Sequence, residues 1–217
     1  MKTALIFGSS GLVGKNLLNQ VINNSNYSKV KIFVRSSREI SDQKVEVINT
    51  DFNDLQKIKN LIIGDDCFFC IGTTKKKSPD KSEYRRVELD LPKKIAQISK
   101  SNDIKSFIYV SSGFADPKNS GDYLKFKGLV EEEIKSLNFE KIGILRPSFL
   151  LGNRKENRVG EKIGIIIFKL LSPLFVGPIK KMKPIHSETV AKAMIQIANE
   201  DIQQTIFESN EIADLVG

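Results

Sequence analysis

A tyrosine and a lysine four residues apart can share the task of moving a proton. The stretch GDYLKFKGLVEEE, residues 121–133, holds such a pair in Tyr123 and Lys127. An unperturbed phenol titrates near 10, and lowering that by about three units takes roughly 4 kcal/mol at about 1.36 per unit. A lysine ammonium about 4 Å away, at an effective dielectric of about 20, supplies about that much. The couple could then hand a proton to an oxygen whose carbon has just received a hydride, as carbonyl reduction requires. Spacing alone does not establish this. The chain has four tyrosines, Tyr27–Lys31 repeats the interval, and Lys and Arg make up 34 of 217 residues, so such pairs arise by chance.

The elements beneath the two pairs separate them. Residues 121–137 read as a helix, where positions i and i+4 share a face. Tyr27 and Lys31 straddle the approach to a strand at 29–35 and share no helical face. Six apolar strand-like runs, 3–8, 29–35, 44–50, 66–72, 104–112 and 140–148, alternate with helical patterns at 12–23, 53–62, 82–100 and 121–137. Asn53 is the expected N-cap of the second helix, and Pro92 is expected to bend or break the third. Nearly continuous apolar strands alternating with helices predict an α/β fold, a doubly wound parallel sheet of Rossmann type. No repeat or linker divides the chain, so residues 1–217 form one domain, with about 151–217 expected as a small substrate-side cap. The run IGIIIFKLLSPLFV, 163–176, is interrupted by Lys169 and Pro173 and is shorter than a membrane span; it reads first as a helix packed on the core, with a pocket wall, dimer face or membrane-surface contact as alternatives.

Between the first strand and first helix, IFGSSGLVGKN spaces Gly8, Gly11 and Gly14 at three-residue intervals. Glycine permits the tight turn and lets the backbone approach a pyrophosphate. The helix N-terminus offers uncommitted N–H groups to that anion. Gly8, Ser10, Gly11, Leu12, Val13 and Gly14 are therefore the expected phosphate cradle. A kinase-type loop is excluded: its first glycine would fall on Ser9 and its metal-binding hydroxyl on Asn16. After the second strand, where an acid would select NAD, stand Arg35 and Arg38. Guanidinium groups suit a 2′-phosphate, so NADP(H) is favoured over NAD(H). Asp51 and Phe52 follow the third strand and should border the adenine. Gly72, Thr73 and Thr74 follow the fourth and should border the ribose and nicotinamide. Ser111-Ser112 closes the fifth strand, on the side where open α/β sheets bind ligands.

Here FGSSGLVG, VSSGFAD, YLKFKGLVE and LRPSFLLG resemble the atypical, small short-chain dehydrogenase/reductases. With CIGTTKKKS and KPIHSETVAKAM, they most resemble the Tat-interacting-protein-like oxidoreductases, over nearly the whole chain. The resemblance implies a Rossmann core, NADP(H) and a Ser–Tyr–Lys site falling on Ser112, Tyr123 and Lys127. Ser112 is preferred to Ser111 because the family's hydroxyl is usually the second of the pair. The same resemblance brings Pro147 and Phe149 to the cofactor. The expected function is hydride transfer to or from a small carbonyl or alcohol; a cofactor-sensing regulator with little turnover is the alternative, and sugar-nucleotide epimerisation a third reading.

The remaining residues narrow the setting. Cys67 and Cys70, three apart in a strand, point to opposite faces and suggest core packing rather than a redox pair. His186 is the sole histidine, which excludes a multi-histidine metal site, and no metal is expected. Two cysteines, and an apolar start that stops at Gly8, lead to the expectation of a cytoplasmic protein without a leader. The formal charge of +8 is read as solvated surface rather than a nucleic-acid footprint. The expected partner is a small-molecule substrate, and both a monomer and a homodimer are compatible with the sequence.

Overall fold

The structure, a computed structural model, describes residues 1–36, 40–152 and 181–217. The apolar runs form β1 (Lys2–Phe7), β2 (Tyr27–Val34), β3 (Val45–Asn49), β4 (Asp66–Phe69), β5 (Ser106–Val110) and β6 (Lys141–Arg146). Two short strands, β7 (Leu150–Leu151) and β8 (Ile185–His186), pair with each other, and β9 (Ile206–Glu208) follows near the end. The main sheet runs β3-β2-β1-β4-β5-β6-β9, every pair parallel. The order reverses direction between β1 and β4, the position at which Rossmann sheets open a ligand crevice.

Both faces of this sheet are covered, which is why its strands carry so few polar residues. On one face α1 (Leu12–Ile22) contributes Val13, Leu17 and Val21 to a core with Ile6, Ile32 and Phe68. On the other, Phe7, Phe33, Phe69 and Tyr109 lie in register, with Phe107 two residues back on β5 opposite Cys67. Phe7 stacks on Phe33 at 4.3 Å between centroids and on Phe69 at 5.9 Å, and Phe69 on Phe107 at 6.5 Å. Cys67 joins this second core and Cys70 packs against the first, the opposite-face placement their spacing predicts. Burial pushes the Cys67 thiol up to about 12 and Cys70 higher still.

Two helices differ from expectation. Of residues 53–62, only α2 (Gln56–Lys59) is helical. Asn53 does not cap it, because its N–H and amide both bond the Asp51 carboxylate in a tight local turn, at 2.9 and 3.0 Å. The segment around 82–100 is continuous rather than broken: α3 (Lys81–Arg85) passes through a π-helical turn (Arg86–Asp90) into α4 (Leu91–Ser101). Pro92 explains the wide turn. It has no N–H to give the Glu88 carbonyl four residues back, and its ring crowds that carbonyl. The Leu91 N–H reaches instead to Arg86 O, five residues back.

α5 (Asp122–Ser136) covers the second core beside α4. After β8, α6 (Ser187–Asn199) packs against α1 on the first core, and β9 and α7 (Ser209–Val216) complete that side. Residues 187–217 thus pack in the layers of the main sheet. Val190, Ala191 and Met194 are fully buried there, and burying that apolar stripe is what places the helix. Residues 153–180, which include the expected core helix at 163–176, lie outside the described residues.

A buried polar cluster closes the edge of the sheet where the strands begin. Asp66 accepts from Tyr27 Oη at 2.7 Å and Ser106 Oγ at 2.5 Å, and pairs with Lys2 Nζ at 3.0 Å. Asn199 donates to the Tyr27 hydroxyl at 2.9 Å. Tyr27 thus lies inside β2, and burial followed by the Asp66 charge drives its phenol far above the ordinary range. The look-alike Tyr27–Lys31 pair has no proton to offer. Replacing Asp66 with Ala orphans two buried hydroxyls and is expected to cost about 3 kcal/mol, read as a lowered urea midpoint.

Candidate active site and cofactor cradle

The ends of β1, β4, β5 and β6 lie side by side at the opposite edge, and their following residues form the candidate site. Gly8 takes φ +92°, which disfavours other residues. A Cβ there would lie 2.8 Å from Cys70 C and Ile71 N, so the loop lies directly on the chain leaving β4. A Cβ on Gly14 would stand 2.1 Å from Gly8 O, which fixes how closely α1 meets the loop. Gly11 is the N-cap of α1, yet no side chain caps the helix and its first turn carries no acid. The first-turn N–H groups, from Leu12 and Val13 onward, are left to an external acceptor. Ser10 is exposed at the turn, and Ser9 Oγ is buried without a hydrogen-bond partner among the described residues. These features fit a bound pyrophosphate. Asn16, which broke the kinase pattern, donates instead to Ser187 Oγ at 2.9 Å and ties α1 to α6.

The other residues expected at the cofactor are placed as follows among the described residues. Arg35 is exposed just beyond β2, near enough to Glu83 to help hold that carboxyl below its usual range, after the dominant hydrogen bond from Arg86. Arg38 lies outside the described residues. Asp51 is exposed, but Phe52, at φ +61°, turns its ring into the core against Phe7. Gly72, Thr73 and Thr74 form the turn after β4. The Thr73 N–H donates to Glu88, and Thr73 Oγ1 lies 3.0 Å from Ser78 Oγ. Pro147 is buried after β6 and accepts from Gly113 N at 3.0 Å; Phe149 is exposed.

Tyr123 and Lys127 share a face of α5, with the ammonium 5.9 Å from the Tyr123 ring centroid. Tyr123 is 39% exposed, at the mouth, whereas Lys127 is 4% exposed, beneath it. Lys127 Nζ donates to Tyr109 Oη at 3.1 Å and to Val110 O at 3.4 Å. Its closest charge is the Glu88 carboxylate, 3.2 Å away on the π-helical turn and itself fully buried. Burial opposes the Lys127 charge, but Glu88, then Tyr109 and Tyr123, outweigh it and hold its pKa well above the usual lysine range. Tyr84 lies against Phe126 and senses the same charges; burial chiefly pushes its phenol up to about 12. Three of the four tyrosines therefore surround one lysine.

The two serines at the end of β5 differ sharply. Ser111 is buried and donates to Glu131 Oε1 at 2.5 Å, in a chain continuing to Arg146 and Glu208. The Ser112 hydroxyl makes only a long 3.3 Å bond to Gly113 O among the described residues, so it can turn to a ligand. Beside it Phe114 adopts φ +65° with its ring 47% exposed, and the Lys181 ammonium sits 5.2 Å from that ring. His186 stands at the strand-to-helix turn, at the N-cap of α6.

Two residues that shape the site escaped the sequence reading. Gly128 lets the loop after β5 press onto α5 beside Lys127, since a Cβ there would lie 2.3 Å from Pro117 N. A glycine in mid-helix was the available signal. Glu88 gave only an acid four residues before a proline.

A family model described as NAD(P)H-binding matches residues 8–201. The chain is 34% identical over 164 residues to protein HTATIP2 of Rattus norvegicus, covering 74% of this chain and 67% of that one. It is 32% identical over 180 residues to protein FMP52, mitochondrial, of Coccidioides immitis, covering 76% and 73%. Among solved structures, the Bordetella bronchiseptica enzyme WbmH in complex with NAD+ superposes with a TM-score of 0.72 over 96% of this chain and 75% of that one. At 15% identity, that likeness is one of fold. The FMP52 relatives from five species are named mitochondrial, which overturns the cytoplasmic expectation. Among the described residues, no helix is long and apolar enough to cross a membrane.

Proposed function

This chain belongs to the NAD(P)H-binding family of atypical short-chain dehydrogenase/reductase-like proteins, and from that premise we propose that it is an NADP(H)-dependent oxidoreductase acting on a small carbonyl or alcohol. The observation that carries the proposal is the Tyr123–Lys127 pair, one exposed and one buried, at the sheet edge that also holds Ser112 and the uncapped loop. When bound, the nicotinamide supplies or accepts the hydride. Tyr123 gives the proton to the substrate oxygen in reduction and takes it back in oxidation. Lys127, held charged, stabilises the phenolate that remains. Ser112 donates a hydrogen bond to the same oxygen as charge develops on it. Gly8, Gly11 and Gly14, with Ser10, Leu12 and Val13, hold the pyrophosphate. Asp51 and the Phe52 backbone border the adenine, and Gly72, Thr73, Thr74, Pro147 and Phe149 the nicotinamide end.

Preference for NADP(H) rests on Arg35, exposed where β2 ends. Calorimetric titration with NADPH and NADH tests both parts of the proposal. Wild-type protein is expected to bind NADPH more tightly. Arg35→Ala should cost NADPH about tenfold or more, some 1.4 kcal/mol, with little change for NADH. Equal losses would remove the 2′-phosphate assignment, and no binding of either cofactor would remove the oxidoreductase.

A further inference from the structure

We infer that Glu88 is a positioning residue for this site, a carboxylate that couples the loop after β4 to Lys127 and offsets part of the charge Lys127 shows to Tyr123. The inference rests on the Tyr123–Lys127 reading above. One carboxylate oxygen accepts the Thr73 N–H, and the other lies 3.2 Å from Lys127 Nζ. That second oxygen is an ion-pair partner outside hydrogen-bond alignment, and no other group among the described residues donates to it. Glu88 is also where it is for a reason of backbone chemistry, because Pro92 forces the π-helical turn that carries it. A carboxylate so fully buried persists only with a partner, and Lys127 is that partner.

The consequence concerns protons. The Lys127 ammonium lies 5.9 Å from the Tyr123 ring and 3.2 Å from Glu88, near enough for a charge at 88 to act on both members of the couple. With Glu88 ionised, the group starts neutral overall and losing a proton leaves it negative. With a neutral residue at 88, the group starts positive and losing a proton relieves a buried charge, whichever member gives it up. Removing Glu88's charge must therefore move the couple's pKa toward acid. Other titratable groups facing the couple are Tyr84 on α3, Tyr109 on β5, Cys70 after β4 and Asp122, which pairs with Lys75 at 3.5 Å. Each stays in place when only residue 88 is changed.

Glu88→Gln makes the test, since its amide oxygen can still accept the Thr73 N–H while the charge is gone. Protein labelled with 13C in its tyrosine and lysine side chains reports the titration by NMR, with signals assigned by their loss in Tyr123→Phe and Lys127→Met. Glu88→Gln is expected to move the couple's first proton loss about one to three pH units toward acid, and Glu88→Asp to restore most of that shift. An unchanged midpoint in Glu88→Gln overturns the inference. Should Glu88→Gln fail to fold, the double variant Glu88→Gln/Lys127→Met decides, because it removes both buried charges. Recovery of folding supports the coupling, and continued failure overturns it. The titration needs neither cofactor nor turnover, so it stands apart from the NADPH calorimetry that tests the oxidoreductase itself.

Discussion

Tyr123→Phe is expected to lower turnover by about 10²–10⁴-fold while leaving NADPH affinity within about twofold, measured by steady-state kcat and by calorimetry. The size follows from removing one proton donor in the reacting position. The selectivity follows from what the hydroxyl does not touch: Lys127 is anchored by Tyr109, Val110 and Glu88, so it keeps its place without the phenol. Neither neighbouring tyrosine can substitute. Tyr109 is wholly buried, its hydroxyl accepts from Lys127, and burial pushes its phenol far up. Tyr84 is 5% exposed and pushed up to about 12. Undiminished turnover in Tyr123→Phe would remove Tyr123 as the acid and, with it, the proposed reaction.

The second large effect is expected at Gly14. In an ordinary helix, exchanging glycine for alanine stabilises by about 1 kcal/mol. Here the added Cβ meets Gly8 O at 2.1 Å, Gly8 C at 2.7 Å and Ser9 Cα at 3.1 Å, all main-chain atoms that cannot swing aside. Either α1 retreats from the sheet or the loop opens, and both spoil the cradle. Gly14→Ala should therefore destabilise by about 2–3 kcal/mol and weaken NADPH by about a hundredfold or more, near 2.7 kcal/mol. Urea unfolding and calorimetry read the two effects. A gain in stability would mean that the close approach of helix and loop is not what this glycine serves.

The sheet was legible because parallel strands buried on both faces leave a strong mark, a nearly unbroken apolar run with glycine or proline beyond it. The strand-to-helix turn at Gly8–Gly14 was legible for the same local reason. What the sequence hid was long-range. An amphipathic helix such as Ser187–Asn199 announces that one face will be buried but not against what, so its packing on α1 could not be read. Residues 53–62 carried helical periodicity, yet the Asp51–Asn53 turn claimed the groups a cap would have used. Ser111 and Ser112 are chemically identical in sequence. Only the buried Glu131 distinguishes them, by engaging the first. Glu88 and Lys127 are 39 residues apart, and nothing local to either reveals that they meet.

The gathering of Tyr84, Tyr109 and Tyr123 around Lys127 also has an optical consequence. The chain contains no tryptophan and four tyrosines, so its near-ultraviolet emission comes from tyrosine alone. Three of those emitters sit at the candidate site, close to the buried ammonium of Lys127 and its Glu88 partner. The fourth, Tyr27, is sealed against Asp66 at the far edge of the sheet. The native fluorophores are thus divided between a reporter group at the site and an internal reference remote from it, with no label to attach.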